Sequence, residues 1–259
     1  MNFFHAIILG IVEGVTEFLP ISSTGHLILV SKVLRLASTD FLKSFEIGIQ
    51  LGAILAVVVQ YFRSFFVKFE ILKKVIVAFL PTAILGLIFY KVIKQFLLGS
   101  EQVVLWALFL GGVFLIIFEI FYREKQGAAE EIEKISWRQA VVIGLFQSVA
   151  MIPGVSRAAA TIIGGLILGL KRKTIVEFSF LLAVPTMAAA TGLDLISSGG
   201  RFSSGEFWLL AVGFIFSFVT ALFAIRFFLK FIKNHSFIIF GVYRIILAGA
   251  GLIFFSFLL

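Results

Sequence analysis

Glu13 and Glu17 stand four residues apart ahead of Ser22-Ser23-Thr24-Gly25-His26, so two carboxylates, three hydroxyls and an imidazole share one short stretch. Residues four apart on a helix project from the same face, one turn from each other. Such a carboxylate pair suits a divalent cation or acid–base work. The plainer reading is a solvated helix face for the glutamates and a capping segment for the hydroxyls, since Ser and Thr are favoured N-caps. An apolar setting changes that balance, because carboxylates at membrane depth are costly and mark functional sites. Farther along, Pro153-Gly154-Val155-Ser156-Arg157 places one arginine between two apolar stretches. Its planar fork matches phosphate oxygens. In a structural role it would instead pair with Glu13 or Glu17.

These residues must be held by elements that lipid tolerates. Of 259 residues, 61% are hydrophobic and 14% charged, and mean hydropathy is +1.13. Soluble domains carry about 25% charged residues, so the surplus of apolar surface requires a bilayer as solvent. The absence of cysteine excludes disulfides and thiol catalysis. The segment from Met1 to Pro20 lacks a basic leader and carries Glu13 and Glu17, so it reads as mature structure rather than a signal peptide.

A crossing needs roughly 20 apolar residues, and six stretches qualify, at about 44–62, 75–97, 104–121, 175–197, 207–227 and 237–258. Two further regions, about 3–34 and 139–169, are broken near their middles by Pro, Gly, Ser and Thr, leaving halves too short to cross. The expected fold is an all-α polytopic membrane protein of six transmembrane helices plus two re-entrant helix-loop-helix hairpins.

The broken regions resemble each other. Ala6 matches Ala140, Gly10 matches Gly144 and Glu13 matches Gln147; a one-residue gap then aligns Pro20 with Pro153 and Ser23 with Ser156. Segment 81–89 likewise resembles 219–227. The expectation is one membrane domain, 1–259, with repeat 1 at about 1–121, repeat 2 at about 136–259 and a charged cytoplasmic loop at 122–138. Three crossings between the hairpins would invert the second copy, as in many transporters. Gln147 and Met151 stand where the first copy has glutamates, so acid comes from one repeat and base from the other.

Loop charges orient the chain. Arg63, Lys68, Lys73, Lys74, Arg123, Lys125, Lys134, Arg138, Lys171, Arg172, Lys173, Arg226, Lys230 and Lys233 fall on one side, against Lys32, Arg35, Lys43, Lys91, Lys94 and Arg201 on the other. The positive-inside rule makes the first side cytoplasmic and opens the first hairpin outward. That distribution accounts for the formal net charge of +8 without a nucleic acid as partner. Trp106, Trp137 and Trp208 near span starts serve as interfacial anchors. Glu46 and Gln50 are weaker polar candidates, Glu119, Glu177 and Asp194 receive no chemical role, and Arg244 is expected to pair with a carboxylate.

EGVTEFLPISSTGH at 13–26 and PGVSR at 153–157 closely resemble the two motifs of the undecaprenyl-pyrophosphate phosphatase family linked to bacitracin resistance, and the likeness runs along essentially the whole chain. The resemblance implies an enzyme that removes the terminal phosphate of undecaprenyl pyrophosphate for reuse of the lipid carrier in cell-wall synthesis. It would sit in the bacterial inner membrane with its site open to the periplasmic or outer side, and a homodimer is implied by the resemblance alone. Carried over by motif position, Glu13 and Glu17 are metal or acid–base residues, Ser23 and His26 supply nucleophile or base, and Arg157 clamps phosphate. Ser22, Thr24 and Ser156 bind substrate alongside Arg157. Two carboxylates facing a polyanion argue for Mg²⁺ or Ca²⁺ held by Glu13 and Glu17. Either Ser23, activated by His26, or a water activated by His26 or Glu17 would attack. Ala158 and Ala159 depart from the family's usual serine and glycine, so that either activity is reduced or Ser156 or Thr161 supplies the lost contact. The competing class is a polyprenyl-phosphate carrier or flippase, which shares this architecture; a third is a non-catalytic lipid-binding scaffold.

Overall fold

The computed structural model describes residues 1–92, 100–124, 131–197 and 203–256. Lys94, Lys125 and Arg201, and the far ends of the spans expected at 75–97 and 237–258, lie outside the described residues. Among those described, all regular structure is helical.

Among the described residues six helices have the length and hydropathy to cross a bilayer: α3 (Asp40–Gln60), α5 (Phe69–Val92), α6 (Glu101–Phe121), α9 (Arg172–Ser197), α10 (Ser204–Phe231) and α11 (Ile238–Ser256). Several begin earlier than hydropathy alone predicts, because the helix starts at its cap rather than at its first apolar residue. Thr39, Ser100 and Ser203 each accept a hydrogen bond from the backbone N–H three residues on. Four others are short: α1 (Phe3–Thr16) and α2 (Ser23–Val33), then α7 (Trp137–Ser148) and α8 (Arg157–Ile167). At 1.5 Å per residue the longest of these reaches about 21 Å, well short of a hydrocarbon core of roughly 30 Å. A five-residue helix, α4 (Phe62–Phe66), links α3 to α5.

The short pairs are each wedged against long helices by glycine. A Cβ on Gly10 would lie 2.4 Å from the Gly213 carbonyl oxygen, and one on Gly14 would lie 2.3 Å from that of Ser217. Successive contacts rise together in both chains, so α1 runs parallel to α10. Gly48 meets Leu210 and Gly52 meets Phe214, which makes α3 parallel to α10 as well. On the other pair, Lys74 lies 5.8 Å from the Trp137 ring and Gly144 abuts Ala78 and Pro81, so α7 runs parallel to α5. The end of α2 is tied to the start of α6 by Lys32 and Glu101 at 2.6 Å. The end of α6 is tied to the start of α9 by Glu119 and Arg172 at 2.7 Å.

Trp106, Trp137 and Trp208 are all exposed on the helix bundle, as lipid-facing anchors would be.

Candidate active site

Both hairpin breaks end in the same local structure. Ser22 (φ 69°) and Ser156 (φ 79°) occupy the left-handed region, which non-glycine residues rarely adopt and which clusters at functional sites. Each caps the returning helix: Ser22 Oγ accepts from Gly25 N at 3.4 Å and Ser156 Oγ from Ala159 N at 3.2 Å. This corrects the alignment drawn from sequence. Ser22, not Ser23, is the structural counterpart of Ser156, at the same offset that relates Glu13 to Gln147. Matching by letter favoured the neighbouring serine, whereas the backbone matches cap to cap. Ser23 and Arg157 are therefore equivalent first residues of α2 and α8.

Those two residues converge on Glu17. Ser23 Oγ donates to Glu17 Oε2 at 2.5 Å, and Arg157 Nη2 donates to Glu17 Oε1 at 2.9 Å. Arg157 Nη1 donates to the Ser179 carbonyl at 2.7 Å and to its hydroxyl at 3.2 Å. Ser179 in turn pairs with Thr161 Oγ1 at 2.6 Å. The ion pair is largely withdrawn from solvent, with side-chain exposures of 11% for Arg157 and 6% for Glu17, so its charges act through a weaker dielectric than at a surface. Arg157 Nε has no partner.

The cluster forms one wall of a cavity of about 570 Å³. Glu17, Ser22, Ser23, Thr24, Ser156 and Arg157 line it at the tips. A second polar group faces them: Gln147 Nε2 donates to Thr82 Oγ1 at 2.9 Å and to Thr186 Oγ1 at 3.1 Å, and Gln50 completes the wall. Leu87, Met187 and Leu193 supply apolar surface.

Glu13 and His26 stand outside the lining. Glu13 is fully buried, and among the described residues no hydrogen-bond donor reaches either of its carboxylate oxygens. His26 Nδ1 lies 2.8 Å from the Ser22 carbonyl and Nε2 lies 2.7 Å from the Tyr243 hydroxyl. The group that takes the Ser23 hydrogen bond is thus Glu17 rather than His26. Thr161 is fully buried and spent on Ser179, the Arg157 carbonyl and the Ala158 carbonyl. Of the two hydroxyls expected to offset Ala158 and Ala159, only Ser156 reaches the cavity.

Arg244 overturns its expected carboxylate pairing. Its guanidinium donates to five backbone carbonyls: Leu108, Pro20, Val155, Ala107 and Gly154. Pro20, Gly154 and Val155 lie in the helix breaks, where carbonyls are left without amide partners, and the buried arginine supplies donors to them as well as to two carbonyls within α6. Glu46 accepts from Ser31 at 2.8 Å, away from the cavity lining. Ser179, Thr82, Thr186 and Tyr243 were not singled out from sequence. The first three are isolated polar residues in apolar helices with no local motif to mark them, and nothing in the sequence shows that Tyr243, beside Arg244, reaches His26.

Comparison with known proteins fixes the family. A family model described as "Bacitracin resistance protein BacA" matches residues 6–250. The chain belongs to this family. It is 54% identical over 259 residues to a protein named undecaprenyl-diphosphatase from Aquifex aeolicus, covering all of both chains. A namesake from Sulfurihydrogenibium is 52% identical over 95% of this chain and 97% of its own, and one from Methanococcus aeolicus is 45% identical over 98% and 99%. Within this family member the two motif segments are the ones that meet at Glu17.

Proposed function

We propose that this chain is an undecaprenyl-pyrophosphate phosphatase, hydrolysing the lipid pyrophosphate to undecaprenyl phosphate and inorganic phosphate. The observation that carries the reading is Glu17 bridging a serine hydroxyl and an arginine on the wall of a cavity between membrane helices. That set is richer than a binding cradle requires: a nucleophile, a base within hydrogen-bond reach of it and a cation for the phosphoryl oxygens. The similarity to proteins named undecaprenyl-diphosphatase over their full lengths supplies the substrate.

In the step we infer, Ser23 Oγ attacks the terminal phosphorus in line, forming a serine–phosphorus ester as the anhydride P–O bond breaks. The serine proton passes to Glu17, the electron pair leaves with undecaprenyl phosphate, and water then cleaves the phosphoserine. Arg157 turns from Glu17 toward the phosphoryl oxygens as Glu17 is protonated, so its charge is available when the transition state needs it. Water attack with Glu17 as base uses the same groups.

The buried Glu13 carboxylate, which lies beside Glu17 and which no donor among the described residues reaches, fits an oxygen-liganded divalent cation, Mg²⁺ or Ca²⁺. Among the described residues no group of three or more acidic or imidazole side chains is placed to hold a metal ion, so any ion there would rest on Glu13 and Glu17. Such an ion would offset the repulsion between the carboxylates and the pyrophosphate.

The hairpins are read as re-entrant and inverted. Helix α1 starts on the face where α3 and α10 start, and α7 on the face where α5 starts; α4 joins the end of α3 to that second face. The cavity lining on α5 and α9 falls toward their C-terminal ends, away from Lys73, Lys74 and Lys171 to Lys173, which supports an opening to the outer side of the inner membrane. Purified protein in detergent should release phosphate from undecaprenyl pyrophosphate, with release abolished in Arg157→Ala and reduced by chelator. Detergent has no sides to cross, so a well-folded wild type that releases none would shift the reading to transport.

A further inference from the structure

Arg244 is fully buried and forms no ion pair among the described residues, which is a costly place for a charge unless it is thoroughly hydrogen-bonded. A guanidinium has five N–H donors, and Arg244 places all five on carbonyls, at 2.8 to 3.3 Å. Those carbonyls come from three separate segments: Pro20 in the first tip, Gly154 and Val155 in the second, and Ala107 and Leu108 in α6. Helix α6 clears space for the head group with glycine, since a Cβ on Gly111 would sit 2.1 Å from Arg244 Nη2. Pro20 lies shortly before Ser23, and Val155 shortly before Arg157. The spacing of nucleophile and clamp therefore depends on one side chain of the last helix.

Its neighbour acts on the imidazole. The Ser22 carbonyl can only accept, so the neutral His26 ring carries its proton on Nδ1. Nε2 is then a lone pair, and the Tyr243 hydroxyl donates to it at 2.7 Å. The rings lie 5.5 Å apart and 6° from parallel. The ring is thereby fixed between the first tip and α11, with neither nitrogen aimed at the cavity.

We propose that Tyr243 and Arg244 are positioning residues for the phosphatase reaction: Arg244 sets the two hairpin tips against each other, and Tyr243 holds the Nδ1–H imidazole of His26 in place beneath Ser22. The proposal rests on the phosphatase reading above. Neither side chain lines the cavity, so both should act on turnover rather than on substrate affinity.

The test uses purified wild type, Tyr243→Phe and Arg244→Lys, with phosphate release, thermal unfolding and ¹⁵N-histidine NMR measured on each. Tyr243→Phe should fold normally, lose up to about 10²-fold in kcat with KM unchanged, and shift the ¹⁵N resonance of His26 Nε2, which loses its hydrogen-bond donor. Lysine offers three donors for five carbonyls, so the folded fraction of Arg244→Lys should show a kcat deficit beyond any loss of folded protein. Wild-type kcat and an unchanged imidazole signal in Tyr243→Phe would overturn the role of Tyr243. Activity in Arg244→Lys that falls only in proportion to folded protein would reduce Arg244 to a structural strut. If wild type releases no phosphate, the phosphatase reading fails on its own, while the ¹⁵N signature still decides the His26–Tyr243 contact.

Discussion

At the scale of single residues the site is organised around one carboxylate. Glu17 accepts from both Ser23 and Arg157, so each variant there has a distinct signature. Arg157→Lys keeps the charge but loses the fork that reaches Glu17 and Ser179 together, and kcat/KM should fall about 10²- to 10³-fold, the range for losing one transition-state donor. Rapid acid quench of wild type under single-turnover conditions should trap a phosphoserine that Ser23→Ala cannot form. A Ser23→Ala enzyme that still turns over would assign the attack to water. Thr161→Val removes the hydroxyl that steadies Ser179 and should cost about 1 kcal/mol of stability, with part of the activity lost through Arg157; Thr161→Ser should restore both. Glu13, Glu17, Ser23 and Arg157 were legible in the sequence because ionisable and hydroxyl side chains stand out in apolar surroundings. Ser179 and Tyr243 were not, because their meaning lies in contacts between distant segments, and Thr161, expected to reach substrate, is instead buried against Ser179. The carboxylate expected for Arg244 failed for a related reason: sequence shows a charge in need of partners but not the carbonyls of two helix breaks and of α6 that converge on it.

Among the elements, glycine decides how closely the short helices approach the long ones. A Cβ at Gly14 would strike the Ser217 carbonyl and the Ala221 amide, backbone atoms that cannot swing aside. Gly14→Val should therefore destabilise the protein by about 1–3 kcal/mol through overpacking, read as a lowered thermal midpoint. Gly192 in α9 has nothing within 4 Å of its would-be Cβ, and Gly192→Ala there should be neutral or stabilising by up to about 1 kcal/mol. Hydropathy located all six long helices but misplaced several starts, since caps such as Thr39 and Ser203 lie beyond the apolar run. It could not reveal the glycine contacts at all. A tie outside the bilayer adds a pH dependence. Lys68 Nζ lies 2.5 Å from Glu133 Oε1; the hydrogen bond from Lys68 holds the Glu133 carboxyl below its usual range, and the same bond raises Lys68. The contribution of Glu133 is present above the ordinary glutamate value and lost as pH falls through its lowered one. That of Lys68 is present below the ordinary lysine value and lost as pH rises through its raised one. A double-mutant cycle of Lys68→Met and Glu133→Gln should show coupling at neutral pH that vanishes in acid.

For the whole molecule the decisive question is which face the cavity serves, because a phosphatase recycling carrier at the outer surface needs its tips reachable from there. The cavity residues on α9, from Thr186 to Leu193, lie toward the end of the helix opposite its basic start. The proposed orientation, drawn from loop charge, has that basic start in the cytoplasm. The chain has no cysteine, so a single introduced thiol reports one position without background. In intact cells an impermeant maleimide should label Asp40→Cys, at the start of α3, and Leu193→Cys, on the cavity wall, whereas Lys233→Cys should react only after permeabilisation. Added polyprenyl pyrophosphate should protect Leu193→Cys and leave Asp40→Cys unaffected, since only the former lines the substrate cavity. Labelling of Lys233→Cys in intact cells, with Asp40→Cys silent, would invert the topology. A silent Leu193→Cys beside a labelled Asp40→Cys would keep the topology but close the cavity to the outside, and the outward-facing site would have to be abandoned.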